Sequence, residues 1–135
     1  PPRFYPQEAR EGPSEAATAI ANTAYSLSLL HPTTNKRRSR RDKVCLFGDT
    51  DYATSGSWRS GTNPDRGGFW AQIAADVWIW GADKDERLYQ ISMTGSLDGL
   101  ANITGRFTVL DFTDSSNWGS FLLKKTAFAS CKSLQ

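Results

Sequence analysis

The sequence predicts a small all-β domain, an antiparallel β-sandwich or barrel, carrying an N-terminal helical or disordered pro-segment. Three observations carry this expectation. A period-two run extends from Phe69 to Trp80, turn-forming residues recur between short apolar stretches, and two cysteines stand near the two ends of the alternating region. The 135 residues suffice for one core of ordinary size plus an appendage, and five Trp, four Tyr and seven Phe supply its bulk.

The first 41 residues differ from the rest. Residues 1–13 hold four prolines, each removing a backbone donor and biasing its predecessor away from helix, so this stretch is expected to be extended or disordered. It lacks the apolar stretch of a signal peptide, and in a secreted protein the signal would lie ahead of it. Ser14 is a credible N-cap with Glu15 in the first turn, and Ala17, Ile20, Ala24 and Leu27 fall at helical spacing. The spacing predicts a helix over about 14–30, ended by Pro32.

Lys36-Arg37-Arg38-Ser39-Arg40-Arg41 follows, five cations in six residues, which should be a solvated, exposed linker. Three uses compete: a linker with no function, a nuclear-localisation or nucleic-acid segment, and a processing site. Lys36-Arg37 and Arg40-Arg41 are dibasic pairs, and Arg38 to Arg41 matches the pattern cut by kexin- and furin-type proteases. Processing is favoured by position, because the run falls where helical periodicity gives way to alternation. The charge changes there too: residues 1–41 carry seven Lys/Arg against three Glu, whereas 42–135 carry nine against eleven acidic residues. The basic pI of about 8.8 therefore belongs to the leader, and nucleic acid is a disfavoured partner for the domain. The expected organisation is a pro-segment, 1–41, with a cleavage linker at 36–41, and a β domain, 42–135.

Beyond Asp42, strands are expected at Lys43–Phe47, Phe69–Trp80, Leu88–Thr94, Gly105–Phe112 and Ser120–Phe128. The long one has Ala74 as a point of breakage or bulging. Separators are Gly48-Asp49, Gly56-Ser57, Thr62 to Asp65, Arg66-Gly67-Gly68, Gly81 to Glu86, Asp98-Gly99 and Asp114 to Asn117. Cys45 on the first of these strands and Cys131 after the last can close the domain with a disulfide, the alternative being two buried thiols. An even count at this placement suits a secreted module. The loop so closed is long, and the chain-entropy contribution reaches roughly 4–5 kcal/mol. Asn102-Ile103-Thr104 is an N-glycosylation sequon, in keeping with secretion.

Chemistry is sparsely provided. His31, the one histidine, lies in the leader, so the mature domain has no imidazole for nucleophile activation or metal ligation, and no phosphate or dinucleotide glycine motif is present. Asp49, Asp51, Asp76, Asp83, Asp85 and Glu86 contain no spacing that selects an acid–base pair, and Asp83 to Glu86 has the character of a solvated turn more than of a calcium loop. No catalytic residue, metal or cofactor is expected. Trp70, Trp78 and Trp80 share the face opposite the aliphatic one of the long strand, so they either pack in a core or form an exposed row. Together with Trp58 and Trp118 they are the candidate binding residues, for sugar rings or for a protein hot spot.

The pro-like segment 1–41, the cut site at Arg40-Arg41 and the cysteines Cys45 and Cys131 together resemble the organisation of kexin-processed secreted fungal effectors with the β-sandwich of the host-selective toxin ToxA. The resemblance implies a secreted virulence factor acting on a host protein. Three functions are carried forward: an effector or toxin that binds a host protein after processing by a kexin- or furin-type protease, a carbohydrate-binding module or lectin, and a nucleic-acid binder using the basic run. The expected localisation is extracellular, with entry into host cells open.

Overall fold

Tyr25, Leu27 and Leu29 alternate with Ser26 and Ser28, and this segment is a β-strand. The computed structural model describes residues 18–37, 41–49, 51, 53–63, 65–83, 89–111 and 117–134. Eight strands follow in order: β1 (Thr23–Leu30), β2 (Asp42–Gly48), β3 (Ser55–Ser60), β4 (Arg66–Ile73), β5 (Asp76–Asp83), β6 (Tyr89–Leu97), β7 (Ile103–Asp111) and β8 (Asn117–Thr126). Each pairs antiparallel with the next, and β8 returns to β1, so of the two expected architectures the chain forms the closed barrel. A 3₁₀ segment, η1 (Phe128–Leu134), follows β8.

The helix expected over 14–30 is overturned for its described part. Thr23–Leu27 pair with Leu46–Asp42 of β2, and Ala24–Leu30 pair with Thr126–Ser120 of β8. The matches at Ile20, Ala24 and Leu27 satisfied a helical period by coincidence, while the alternation that places Tyr25 and Leu27 in the core won through pairing on both sides. Residues 14–17 lie outside the described residues. The β domain consequently starts ahead of the basic run, since the strand that closes the barrel precedes it.

The single strand expected from Phe69 to Trp80 is a hairpin. Ile73 opposes Asp76, leaving Ala74 and Ala75 as a two-residue turn, with Ala74 at a φ of 53°. A two-residue turn inverts parity between its strands. Trp70 and Gln72 of β4 therefore share the inner face with Val77 and Ile79 of β5, and Phe69 shares the outer face with Trp78 and Trp80. Gly56-Ser57 and Arg66-Gly67-Gly68, expected as separators, lie within β3 and β4.

Eight strands enclose a space that side chains fill. Val44, Leu46, Trp58, Trp70, Ile79, Met93, Ile103, Phe107, Phe121 and Leu123 occupy it. Trp58 of β3 reaches over Gly68 and Gly81, and its indole N–H donates to the Trp80 carbonyl at 3.0 Å. A Cβ on Gly81 would sit 2.8 Å from the Trp58 ring and 2.2 Å from the Gly67 carbonyl oxygen. In the opposite direction, Trp70 of β4 lies over Gly56, and its indole N–H donates to the Phe47 carbonyl at 3.0 Å. Glycines opposite the two indoles thus make room for rings that bond carbonyls two strands away.

Both ends of the barrel are occupied. At one, Ile20 is fully buried, Gln72 donates Nε2–H to the Thr18 carbonyl at 2.8 Å, and the Tyr25 hydroxyl donates to the Ala101 carbonyl at 2.8 Å. At the other, Arg66 bridges Asp42 at 3.5 Å and Asp83 at 3.3 Å, Ser60 Oγ donates to Asp42 at 2.7 Å, and Asn63 Nδ2 donates to Asp83 at 3.2 Å.

Candidate binding face

The outside of the barrel has two unlike sides. Over β1 and β2, outward Ala24, Cys45 and Phe47 are buried because η1 covers them: Cys45 and Cys131 form a disulfide across 86 residues, and Phe128 meets Phe47 edge-on with ring centroids 5.9 Å apart. Arg59 Nη1 donates to the Leu134 carbonyl at 3.3 Å, extending the cover toward β3. Here apolar outward side chains are explained by what lies on them.

From β4 to β8 the outward side chains face solvent. Register places Phe69, Trp80, Ser92, Thr108 and Trp118 in one cross-strand row, each directly opposite the next. Four strand-to-strand steps span roughly 19 Å along the sheet. Phe69 is 59% exposed, Trp80 44% and Trp118 55%, and the Phe69 and Trp80 rings lie 6.2 Å apart. One step toward the hairpin, Trp78 opposes Thr94, and Ile73 is exposed beside them.

The row borders a groove of about 1100 Å³. Small side chains form its floor, Gly67, Ala82, Ser92 and Thr108, and larger ones its walls, Arg59, Phe69, Trp80, Gln90 and Leu110. A second depression, of about 440 Å³, lies on the far side of Trp80 and is lined by Ala71, Ile73 and Trp78. Trp80 is thus a ridge between two hollows, and its backbone is held from inside by the Trp58 indole. A rigid aromatic ridge with hydroxyl and amide groups around it is suited to stacking and hydrogen bonding with a ligand surface.

Of the five tryptophans singled out from sequence, the structure brings Trp78, Trp80 and Trp118 to this face and removes two. Trp58 and Trp70 are 2% and 1% exposed and serve the core, because they sit on the inner register positions of β3 and β4. Phe69, Ile73 and Leu110 belong to the face and were not among the expected residues. The parity inversion at Ala74-Ala75 is the signal that would have found Phe69.

Other expected positions resolve as follows. Lys36, Arg37 and Arg41 are exposed in the β1–β2 connection, where Leu30 and Arg37 form an isolated bridge and His31 N–H donates to the Lys36 carbonyl at 2.8 Å. Arg38, Ser39 and Arg40 lie outside the described residues, as do Asp85 and Glu86. Asp83 accepts from Arg66 and Asn63, and Asp49 accepts from the Asp51 backbone at 2.8 Å. The sequon residue Asn102 is half-buried, with its Oδ1 accepting from the Lys125 N–H at 2.9 Å. Among the described residues no group of three or more His, Cys, Asp or Glu side chains is arranged to hold a metal ion, and no helix is long and apolar enough to cross a membrane.

Fold and surface together define an eight-stranded up-and-down barrel with one disulfide-clamped side and one open aromatic side. In comparisons with known proteins the chain matches no family model, no curated protein and no solved structure.

Proposed function

We propose that the protein is a secreted binding protein, an effector or toxin, that engages a host protein through the outer face of β4–β8. One observation carries this reading: Phe69, Trp80 and Trp118 occupy a single cross-strand row on the side of the barrel that η1 leaves uncovered. Large aromatics kept on an uncovered sheet are the composition of a protein hot spot, and Arg59 and Gln90 beside them supply a polar rim. The disulfide agrees with an oxidising, extracellular setting. The effector role rests on what remains of the resemblance to kexin-processed fungal effectors, the cut site at Arg40-Arg41 and the cysteines Cys45 and Cys131, since the barrel takes up Thr23–Leu30 of the pro-like segment.

The test is binding to host extracellular proteins by the wild-type chain and by Trp80→Ala and Trp118→Ala variants with unchanged circular dichroism. The reading expects loss of the captured partner in both variants, and equal capture would refute it.

A glycan ligand is the second reading, favoured by Ser92 and Thr108 standing between Trp80 and Trp118, a pattern that can combine ring stacking with hydroxyl hydrogen bonds. A glycan array and a tryptophan-fluorescence titration separate the two, because a protein partner leaves both silent.

A further inference from the structure

We infer that cleavage in the basic run does not release the segment ahead of it: the barrel keeps that segment as its β1 strand, and the cut protein is a two-chain barrel. The inference rests on the reading of Lys36–Arg41 as a processing site, and goes beyond it by assigning the cleft between β2 and β8 as a peptide-binding site whose occupant is this chain's own residues 18–37.

Hydrolysis after Arg41 breaks one peptide C–N bond and adds one water, leaving a carboxylate on Arg41 and an amine on Asp42. Cleavage after Arg37 does the same four residues earlier. Both sites lie between β1 and β2. The sequence's two cysteines, Cys45 and Cys131, are bonded to each other, both on the C-terminal side of the cut, so no disulfide then holds β1.

Everything else holds it. β1 is hydrogen-bonded on both edges, to β2 through five residue pairs and to β8 through seven. Recognition of a peptide by strand addition ordinarily uses one edge, and two edges double the main-chain bonds. Tyr25 and Ile20 are fully buried and Leu27 is 6% exposed, so the segment also carries three core side chains. Further contacts come from different parts of the barrel: the Tyr25 hydroxyl to Ala101, Gln72 Nε2 to Thr18, and Gly48 N–H to Asn22 Oδ1 at 3.2 Å. Departure of β1 would leave β2 and β8 as unpaired edges and open the core between them, a state prone to pair with other chains. In contrast, the described cations of the β1–β2 connection, Lys36, Arg37 and Arg41, are exposed.

The experiment cuts the purified full-length chain with a kexin-type protease and compares it with the uncut chain by denaturing mass spectrometry and native size-exclusion chromatography. The expected result is an N-terminal and a C-terminal piece under denaturing conditions, one water being gained for each bond cut, and a single native peak at the uncut volume containing both. An N-terminal piece in a separate native peak would overturn the inference. A second chain, with the recognition sequence of an unrelated site-specific protease replacing the run, is cut in parallel. If only this chain is cut, the processing reading fails while retention is still decided. In the cut protein, Tyr25→Phe should speed exchange of the N-terminal piece against a labelled copy of residues 18–37 roughly tenfold, because it leaves the Ala101 carbonyl without its donor. An unchanged rate would show that β1 is not held as described.

Discussion

The indole N–H of buried Trp58 donates to the backbone carbonyl of Trp80, whose own ring lies outside the barrel. The core and the proposed binding ridge therefore share one strand position, and the inner glycines that admit the Trp58 ring also fix where Trp80 stands.

Gly81→Ala should lower stability by roughly 2 kcal/mol or more, since the new methyl meets both the Trp58 ring and the Gly67 carbonyl. Denaturant unfolding followed by tryptophan fluorescence measures this. A change within about 0.5 kcal/mol would mean that the ring is not packed against Gly81.

Trp80→Ala and Trp118→Ala should leave unfolding stability within about 1 kcal/mol of wild type, because both side chains lie on the exposed outer face and outside the core, while binding falls by about tenfold or more. Trp58→Ala and Trp70→Ala should do the reverse, costing about 3–5 kcal/mol of stability by emptying core volume. Paired melting and binding curves separate the two classes.

Reduction of the Cys45–Cys131 bond should cost about 4 kcal/mol, reading the effect as loop entropy released to the unfolded chain. The barrel itself should persist under mild conditions, because its closure runs through β1 and β8 and not through the disulfide. Circular dichroism with and without reductant, during a thermal scan, checks both statements.

Burial raises the Tyr25 phenol from 10.0 to about 12, with the nearby Asp98 carboxylate adding to the rise and a hydrogen bond with Thr23 opposing it. The unfolded chain then loses this proton at lower pH than the folded one, so Tyr25 contributes stability that is full below pH 10 and lost as pH rises through about 12. Alkaline unfolding curves should show this loss in the wild type and a flatter profile in Tyr25→Phe.

The sequence shows most of the barrel but hides its closure. The alternation around Ile79, Ile91, Phe107 and Phe121 is visible because apolar residues recur at every second position there, and the placement of Cys45 and Cys131 anticipates their bond. β1 is hidden because Ala, Ser and Leu serve helix and strand almost equally, and only its two neighbours decide the matter. β3 is hidden because Gly56, which resembles a turn residue, is a strand position left bare for the Trp70 ring. Which tryptophans face outward depends on the two-residue turn at Ala74-Ala75, whose backbone carries no Gly or Asn to announce it.

The most direct test of the binding face places a photoreactive residue at Ser92, midway along the row, and separately at Lys124, an exposed outward position on β8 away from it. Exposure to host extracellular proteins and light should yield one crosslinked partner from position 92, none from position 124, and none from position 92 when Trp80→Ala is also present. Equal crosslinking from both positions, or a Ser92 crosslink that survives Trp80→Ala, would contradict the assignment of this face.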